Sequence, residues 1–203
     1  MLVNGSRLKS YPILSLHLGG AIARVEREIV SPHDLSVVAF EVSGPAIDND
    51  PEIGDILDVR SVREFSNLGM IVDSTDEFVL QKDVIKIDEI MKIGFELIGK
   101  KVITRKGSKL GKVSDYIVNS DDFKIFQLIV QRPTLKSLLD PELVVAVSEV
   151  VEVTDTQIVV KDEKKSVKSK QPAKDFVPNF TNPFREPDFA TIQNRNPDER
   201  DIE

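Results

Sequence analysis

The sequence has no cysteine and no tryptophan, and only two histidines and two tyrosines in 203 residues. Without cysteine there is no disulfide, no thiolate metal site and no cysteine nucleophile. Such a chain suits a reducing compartment, and the expected location is the cytoplasm. Imidazole chemistry would have to use His17 or His33. Neither stands at a ligand spacing such as H-x-x-x-H, and both read as strand or turn residues. Paired acid and base residues, a phosphate-binding glycine loop and metal-ligand spacings are all missing, so the expectation is no enzyme, no metal and no cofactor. No stretch approaches the roughly 20 apolar residues that span a bilayer. Residues 7–23 loosely imitate a signal peptide, but Pro12, Ser15, His17 and Gly19-Gly20 interrupt the apolar part, and a strand is expected there.

The net charge is −7, unevenly spread. Residues 161–174 carry six lysines against Asp162 and Glu163, and residues 175–203 carry three arginines against seven acids. These two stretches cancel, so residues 1–160 hold the whole negative charge. A body this acidic argues against wholesale wrapping by nucleic acid, which needs a positive field.

What is present is a repeat. Displaced by 88 residues, Gly19-Gly-Ala-Ile-Ala-Arg-Val25 falls on Gly107-Ser-Lys-Leu-Gly-Lys-Val113. Without a gap, Ile29-Val30 falls on Ile117-Val118, Asp34 on Asp122, Val42 on Val130 and Pro45 on Pro133. Each copy reads as short strands. Those of the second are 101–105, 110–119, 123–131, 143–147, 150–153 and 157–160, with a turn at 106–108, a bulge at Gly111 and a helical turn over 134–140. Those of the first are 13–18, 22–31, 35–43, 56–60, 70–72 and 77–80. The match weakens at Ser66-Asn-Leu-Gly69, which reads as having no counterpart. Residues 84–98 join the copies as a short helix or an extended bridge; the pattern leaves both open. The expected fold is all-β: domain 1 at 1–83, a linker at 84–98, domain 2 at 99–163 and a flexible tail at 164–203. In the strands 35–43 and 123–131, Val38, Phe40 and Val42 alternate with Leu35, Val37, Ala39 and Glu41, and Phe126, Leu128 and Val130 with Phe123, Ile125, Gln127 and Ile129; one row of each should fill a barrel. The other row is too apolar for water, so a second barrel or a second subunit should cover it.

The run Gly107-Ser-Lys-Leu-Gly-Lys-Val-Ser-Asp115, followed by Ile117-Val118 and Phe126–Val130, resembles the PRC-barrel family. The signature residues are Gly107, Leu110, Gly111, Lys112 and Val113. The first copy keeps Gly19, Ile22, Arg24 and Val25 but has Ala23 where the second glycine is expected, so it is the more divergent. The resemblance implies two tandem small PRC-type β-barrels, in a family related to the reaction centre H subunit and to the C-terminal barrel of a ribosome maturation factor. It implies binding to a protein partner and brings no catalytic residues; the signature residues look structural.

Three features compete as sites. Lys100, Lys101, Arg105, Lys106, Lys109 and Lys112 form one strand-turn-strand with no acid between Gly99 and Val113. They read either as a basic face for RNA or anionic lipid, or as a solvated hairpin that discourages edge pairing. Asp48, Asp50, Glu52, Asp55 and Asp58 crowd one loop, but Ile53 stands where a calcium loop needs glycine, so a solvated loop is expected. Phe176, Phe180, Phe184 and Phe189 recur among prolines in a tail expected to be disordered, and read as docking anchors or as an inert tail. The function expected is a non-enzymatic adaptor with an unidentified protein partner, able to form a homo-oligomer through its apolar strand faces. The alternative is an RNA- or ribosome-associated maturation factor using the Lys100–Lys112 face.

Overall fold

The computed structural model describes residues 1–50, 52–133 and 141–162. The helical turn expected over 134–140 and the four tail phenylalanines lie outside them. Met1–Ser166 is one compact unit.

The fold is all-β, as expected. Its strands are β1 (Leu2–Asn4), β2 (Pro12–Ser15), β3 (Gly20–Ser31), β4 (Ser36–Ser43), β5 (Ile56–Asp58), β6 (Glu64–Ser66), β7 (Gly69–Val72), β8 (Phe78–Val79), β9 (Lys101–Thr104), β10 (Lys109–Asn119), β11 (Ile125–Gln131), β12 (Glu142–Ala146), β13 (Val150–Val153) and β14 (Gln157–Val160). One helical turn, α1 (Pro45–Asp48), follows β4. A longer helix, α2 (Ile85–Ile93), joins the two halves. The linker is therefore helical. Gly94, at φ +63°, ends it with a left-handed cap that glycine adopts without strain, and Lys92 pairs with Asp88 one turn back.

The strands form two curved sheets. One runs β6-β7-β2-β3-β4-β5-β8, the other β13-β14-β9-β10-β11-β12. Strand for strand the six shared members have the same order and the same pairing sense, including one parallel pair each, β2 with β7 and β9 with β14. The register agrees too. Phe40 opposes Leu57, and 88 residues on Leu128 opposes Val145. The first hairpin turn holds one extra residue, so β2 maps onto β9 at an offset of 89. Even so, Gly19 N–H donates to Ser15 O and Gly107 N–H to Thr104 O, each at 2.9 Å.

Two sequence-based expectations need correction. Ser66–Gly69 does have a counterpart, the turn Thr154–Gln157. The Ser66 hydroxyl donates to Gly69 O at 3.1 Å and the Thr154 hydroxyl to Gln157 O at 3.0 Å. The side-chain chemistry recurs where the residue names do not. The boundary at residue 83 is also crossed. β1 pairs with β10, Val3 opposite Val118. The cause is geometric: β9 pairs with β10 only along Lys109–Lys112, which leaves the far end of β10 with unpaired main-chain groups that β1 satisfies.

The two sheets share one core. Val25, Val37, Phe40, Leu57 and Met70 from the first pack in the same cluster as Val113, Tyr116, Leu128, Val130 and Ile158 from the second. Phe123 meets Phe40 edge-on at 5.8 Å and Phe65 at 6.4 Å. A sheet of about 70 residues has little core of its own, so the common core adds to the stability of both.

Candidate functional site

Helix α2 lies on the outer face of the first sheet. Its buried Ile87 packs with Ile29, Ala39 and Ile56, flanked by Val38, Ile90 and Met91. The cover expected from another barrel or subunit is thus supplied, on this sheet, by the linker itself. The corresponding positions of the second sheet are Ile117, Gln127 and Val144, with Phe126 in the place of Val38. There Phe126 is 55% exposed and Val144 54%. Leu2, opposite Asn119 on β1, extends this face and is also exposed. Among the described residues no helix lies over it.

Neither of the two alternating rows expected in this strand fills the barrel intact: Ile125 from one and Leu128 and Val130 from the other are buried, and Phe126 is exposed. A register shift between Ile117 and Val118 gives β11 an extra residue there, so the alternation slips by one and Phe126 turns outward while Ile125 and Leu128 stay buried. Strict period-two reading cannot see such a bulge. The available signal was Val38, whose neighbours on both sides are equally apolar.

The basic hairpin is β9, the turn 105–108 and the start of β10. It is not at a sheet edge. β9 pairs with β10 on one side and with β14 on the other, and Lys112 also opposes Gln131 on β11. The reading as edge protection therefore fails for this place. The six cations do not act as one face either. Lys100 donates to the Asp155 carbonyl and sits 4.7 Å over the Phe95 ring. Arg105 and Lys106 lie at the turn, where the Lys106 N–H meets Asp162 at 3.3 Å. Lys101, Lys109 and Lys112 instead line a groove of about 560 Å³ with Arg132, over a floor that includes Val102, Ile103, Gly111 and Pro133. Sequence reading missed Arg132, which lies 20 positions beyond Lys112 and reaches the groove only through strand pairing.

The signature residues hold the backbone of this hairpin. Gly107 has φ +80° and Gly111 φ +157°. A Cβ on Gly111 would stand 2.0 Å from Gln131 O, so only glycine lets β10 approach β11 here. Val113 is buried and Leu110 packs against the core, while Lys112 is exposed. In the first sheet Ile22 and Val25 are buried, Arg24 is exposed and Gly19 turns at φ +66°.

The remaining candidates are taken up structurally. Asp58 accepts from the Arg60 N–H at 2.9 Å and pairs with the Arg60 guanidinium at 2.5 Å. Asp50 accepts from the Glu52 N–H. Among the described residues, no three acidic or histidine side chains gather as a metal site. His17 and His33 are exposed in turns. Tyr116 is buried, and burial, then the nearby Glu28 carboxylate, pushes its phenol far above the ordinary range, so it stays neutral. No described helix is long and apolar enough to cross a membrane.

A comparison with curated proteins found none that matches the chain. The family model of the PRC-barrel domain matches residues 89–167, from the end of α2 through the second sheet. The glycine-bearing hairpin and the strands β9 to β14 lie within the matched residues, and this segment is a PRC-barrel domain.

Proposed function

We propose that the protein is a non-enzymatic adaptor. A PRC-barrel domain suggests a protein-interaction or ribosome-maturation type of module, and the adaptor reading takes the first of these. The first sheet is then a second, divergent PRC-type barrel, supported by its identical strand order and by hydrogen bonds recurring at the 88-residue offset. The surface that holds the partner is the outer face around Phe126, Val144 and Leu2. One observation carries this reading: the equivalent face of the first sheet is closed by α2, while this one leaves large apolar side chains exposed. Apolar side chains grouped in this way mark docking surfaces. With no cysteine to oxidise, the reducing cytoplasm suits the chain.

The test is affinity purification from native lysate with the full chain, the chain without residues 164–203, and the Phe126→Glu/Val144→Glu variant. A defined partner retained by the first two and lost by the third is the expected result. Equal recovery with the third form sinks the choice of face. Sedimentation of the purified chain shows whether the partner is a second copy.

A further inference from the structure

The residues that line the groove beside β9 are not kept in the first sheet, although the strand pairing there is the same. The positions matching Lys101, Lys109, Gly111, Arg132 and Gln157 are Pro12, Ala21, Ala23, Gly44 and Gly69. A Cβ on Gly44 would lie 2.9 Å from Ala23 Cα, and one on Gly69 2.6 Å from Pro12 O. The first sheet thus fills this place with close backbone contacts and keeps one cation, Arg24. The fold does not need the charges, and the second sheet carries them anyway.

They come at a cost. Lys101 and Lys112 are direct cross-strand partners, and like charges placed so are destabilising. Among the described residues no carboxylate is within ion-pair distance of Lys101, Lys109 or Lys112. Because β9 is an interior strand, these lysines do not serve to block an edge. We infer that the groove is a binding site for a short acidic peptide segment that also carries apolar side chains. The cationic rim attracts its carboxylates, and Val102, Ile103, Pro133 and the bare Gly111 backbone offer an apolar floor.

RNA fits less well. The groove lining has no aromatic ring on which a base could stack. Residues 1–160 carry a net −7, which repels a long polyanion wherever it leaves the groove. A short peptide meets only the local positive field. This site is separate from the Phe126 face and does not depend on it.

The experiment is fluorescence anisotropy with the full chain. The probe is a short labelled peptide of Glu and Asp residues around a Leu and a Phe. Its competitors are the same peptide with Gln and Asn for the acids, a uridine homopolymer RNA, and pyrophosphate. Saturable binding is expected for the acidic peptide alone. It should weaken about tenfold or more when ionic strength rises from about 0.05 to about 0.3 M, because exposed charges are screened. Lys101→Gln/Lys109→Gln/Lys112→Gln should lose at least about tenfold in affinity while keeping its β-sheet circular dichroism, since all three side chains lie at the surface of the groove. Phe126→Glu should bind as the parent does. No saturable peptide binding, equal binding by the lysine variant, or binding of RNA in preference to peptide would each overturn the assignment.

Discussion

Leu35 and Phe123, 88 residues apart, hold the two sheets together through mirrored main-chain bonds. Val37 N–H donates to Phe123 O at 2.9 Å, and Ile125 N–H donates to Leu35 O at 3.0 Å. Ser36 and Lys124 form the bridge between these bonds. Leu35 and Phe123 are both buried and both adopt positive φ, +51° and +54°, a conformation that side-chain-bearing residues enter only when their surroundings enforce it. Each also donates back across its own turn, Leu35 N–H to Ser31 O and Phe123 N–H to Asn119 O. Every one of these contacts maps onto its partner under the 88-residue offset, so the halves are related by a local pseudo-twofold axis at this point. The clefts on either side agree. One is lined by Val59, Val62, Phe65 and Phe123, the other by the matching Val147, Val150, Val153 and Leu35.

Phe123 is the larger half of this joint and should show it. Phe123→Ala removes a buried ring from contact with Phe40 and Phe65 and should cost about 3–5 kcal/mol. Phe123→Leu, the residue found at the matching position, should cost less than about 2 kcal/mol. Urea titrations of both variants decide the point. Near-equal losses would mean that the ring contacts contribute little.

The two glycines of the signature should differ sharply. Alanine at Gly111 would overlap Gln131 O, with a positive φ in addition, and should destabilise by more than about 3 kcal/mol or prevent folding. Alanine at Gly107 meets nothing within 4 Å and bears only the left-handed conformation, about 1–2 kcal/mol. If Gly107→Ala proves the more damaging in thermal melts, close approach of β10 to β11 is not what Gly111 provides.

Ile87 anchors α2 over Ile29, Ala39 and Ile56. Ile87→Ala should cost about 2–4 kcal/mol, while Ile85→Ala, at a side chain 72% exposed, should change stability by no more than about 0.5 kcal/mol. Amide hydrogen exchange in β4 and β5 should quicken in the first variant only. Unchanged exchange would show that the helix does not protect the face.

Acid should weaken the fold partly through Asp58. Its burial alone would raise the pKa, but hydrogen bonds from the Arg60 side chain and N–H, with the guanidinium charge, hold it below the ordinary value. A carboxylate depressed in the folded state contributes its stability above its unfolded pKa of about 4 and loses it as pH falls through the folded value. Asp58→Asn should therefore be less stable than the parent at neutral pH, with the gap closing as pH drops from about 5 toward about 3. A gap that stays constant across that range would exclude the ion pair as its source.

Tyr116 offers an opposite case. Its hydroxyl is buried with no hydrogen-bond partner of normal geometry. Tyr116→Phe should leave stability unchanged or raise it by up to about 1 kcal/mol, because an unsatisfied buried hydroxyl is removed. A clear loss would mean that Glu28 and the phenol form a bond that matters.

Where most strands fall along the chain was legible in the sequence, because β-branched and aliphatic runs are cut by Gly, Pro and Asp, but their order in the sheets, with the parallel pairs β2–β7 and β9–β14, was not. Val150–Val153 and Gln157–Val160 fall where the pattern puts them, and the glycines at 107 and 111 announced a turn and a bulge. Glu64–Ser66 and Leu2–Asn4 escaped notice, since three residues carry too little periodicity to register. The lysines of the hairpin were visible, but whether they defended an edge or lined a groove was not.

The amino-acid order by itself determined the class of fold, the glycines that the second sheet's hairpin needs and the distribution of charge. All of these are local properties, written in residue type and spacing. Only the tertiary structure decided that the halves meet at Leu35 and Phe123, that α2 shields one outer face, and that among the described residues Phe126 is left exposed and Lys101, Lys109 and Lys112 line one groove. Each of those depends on contacts between residues far apart in the chain, where burial is settled by what arrives from elsewhere.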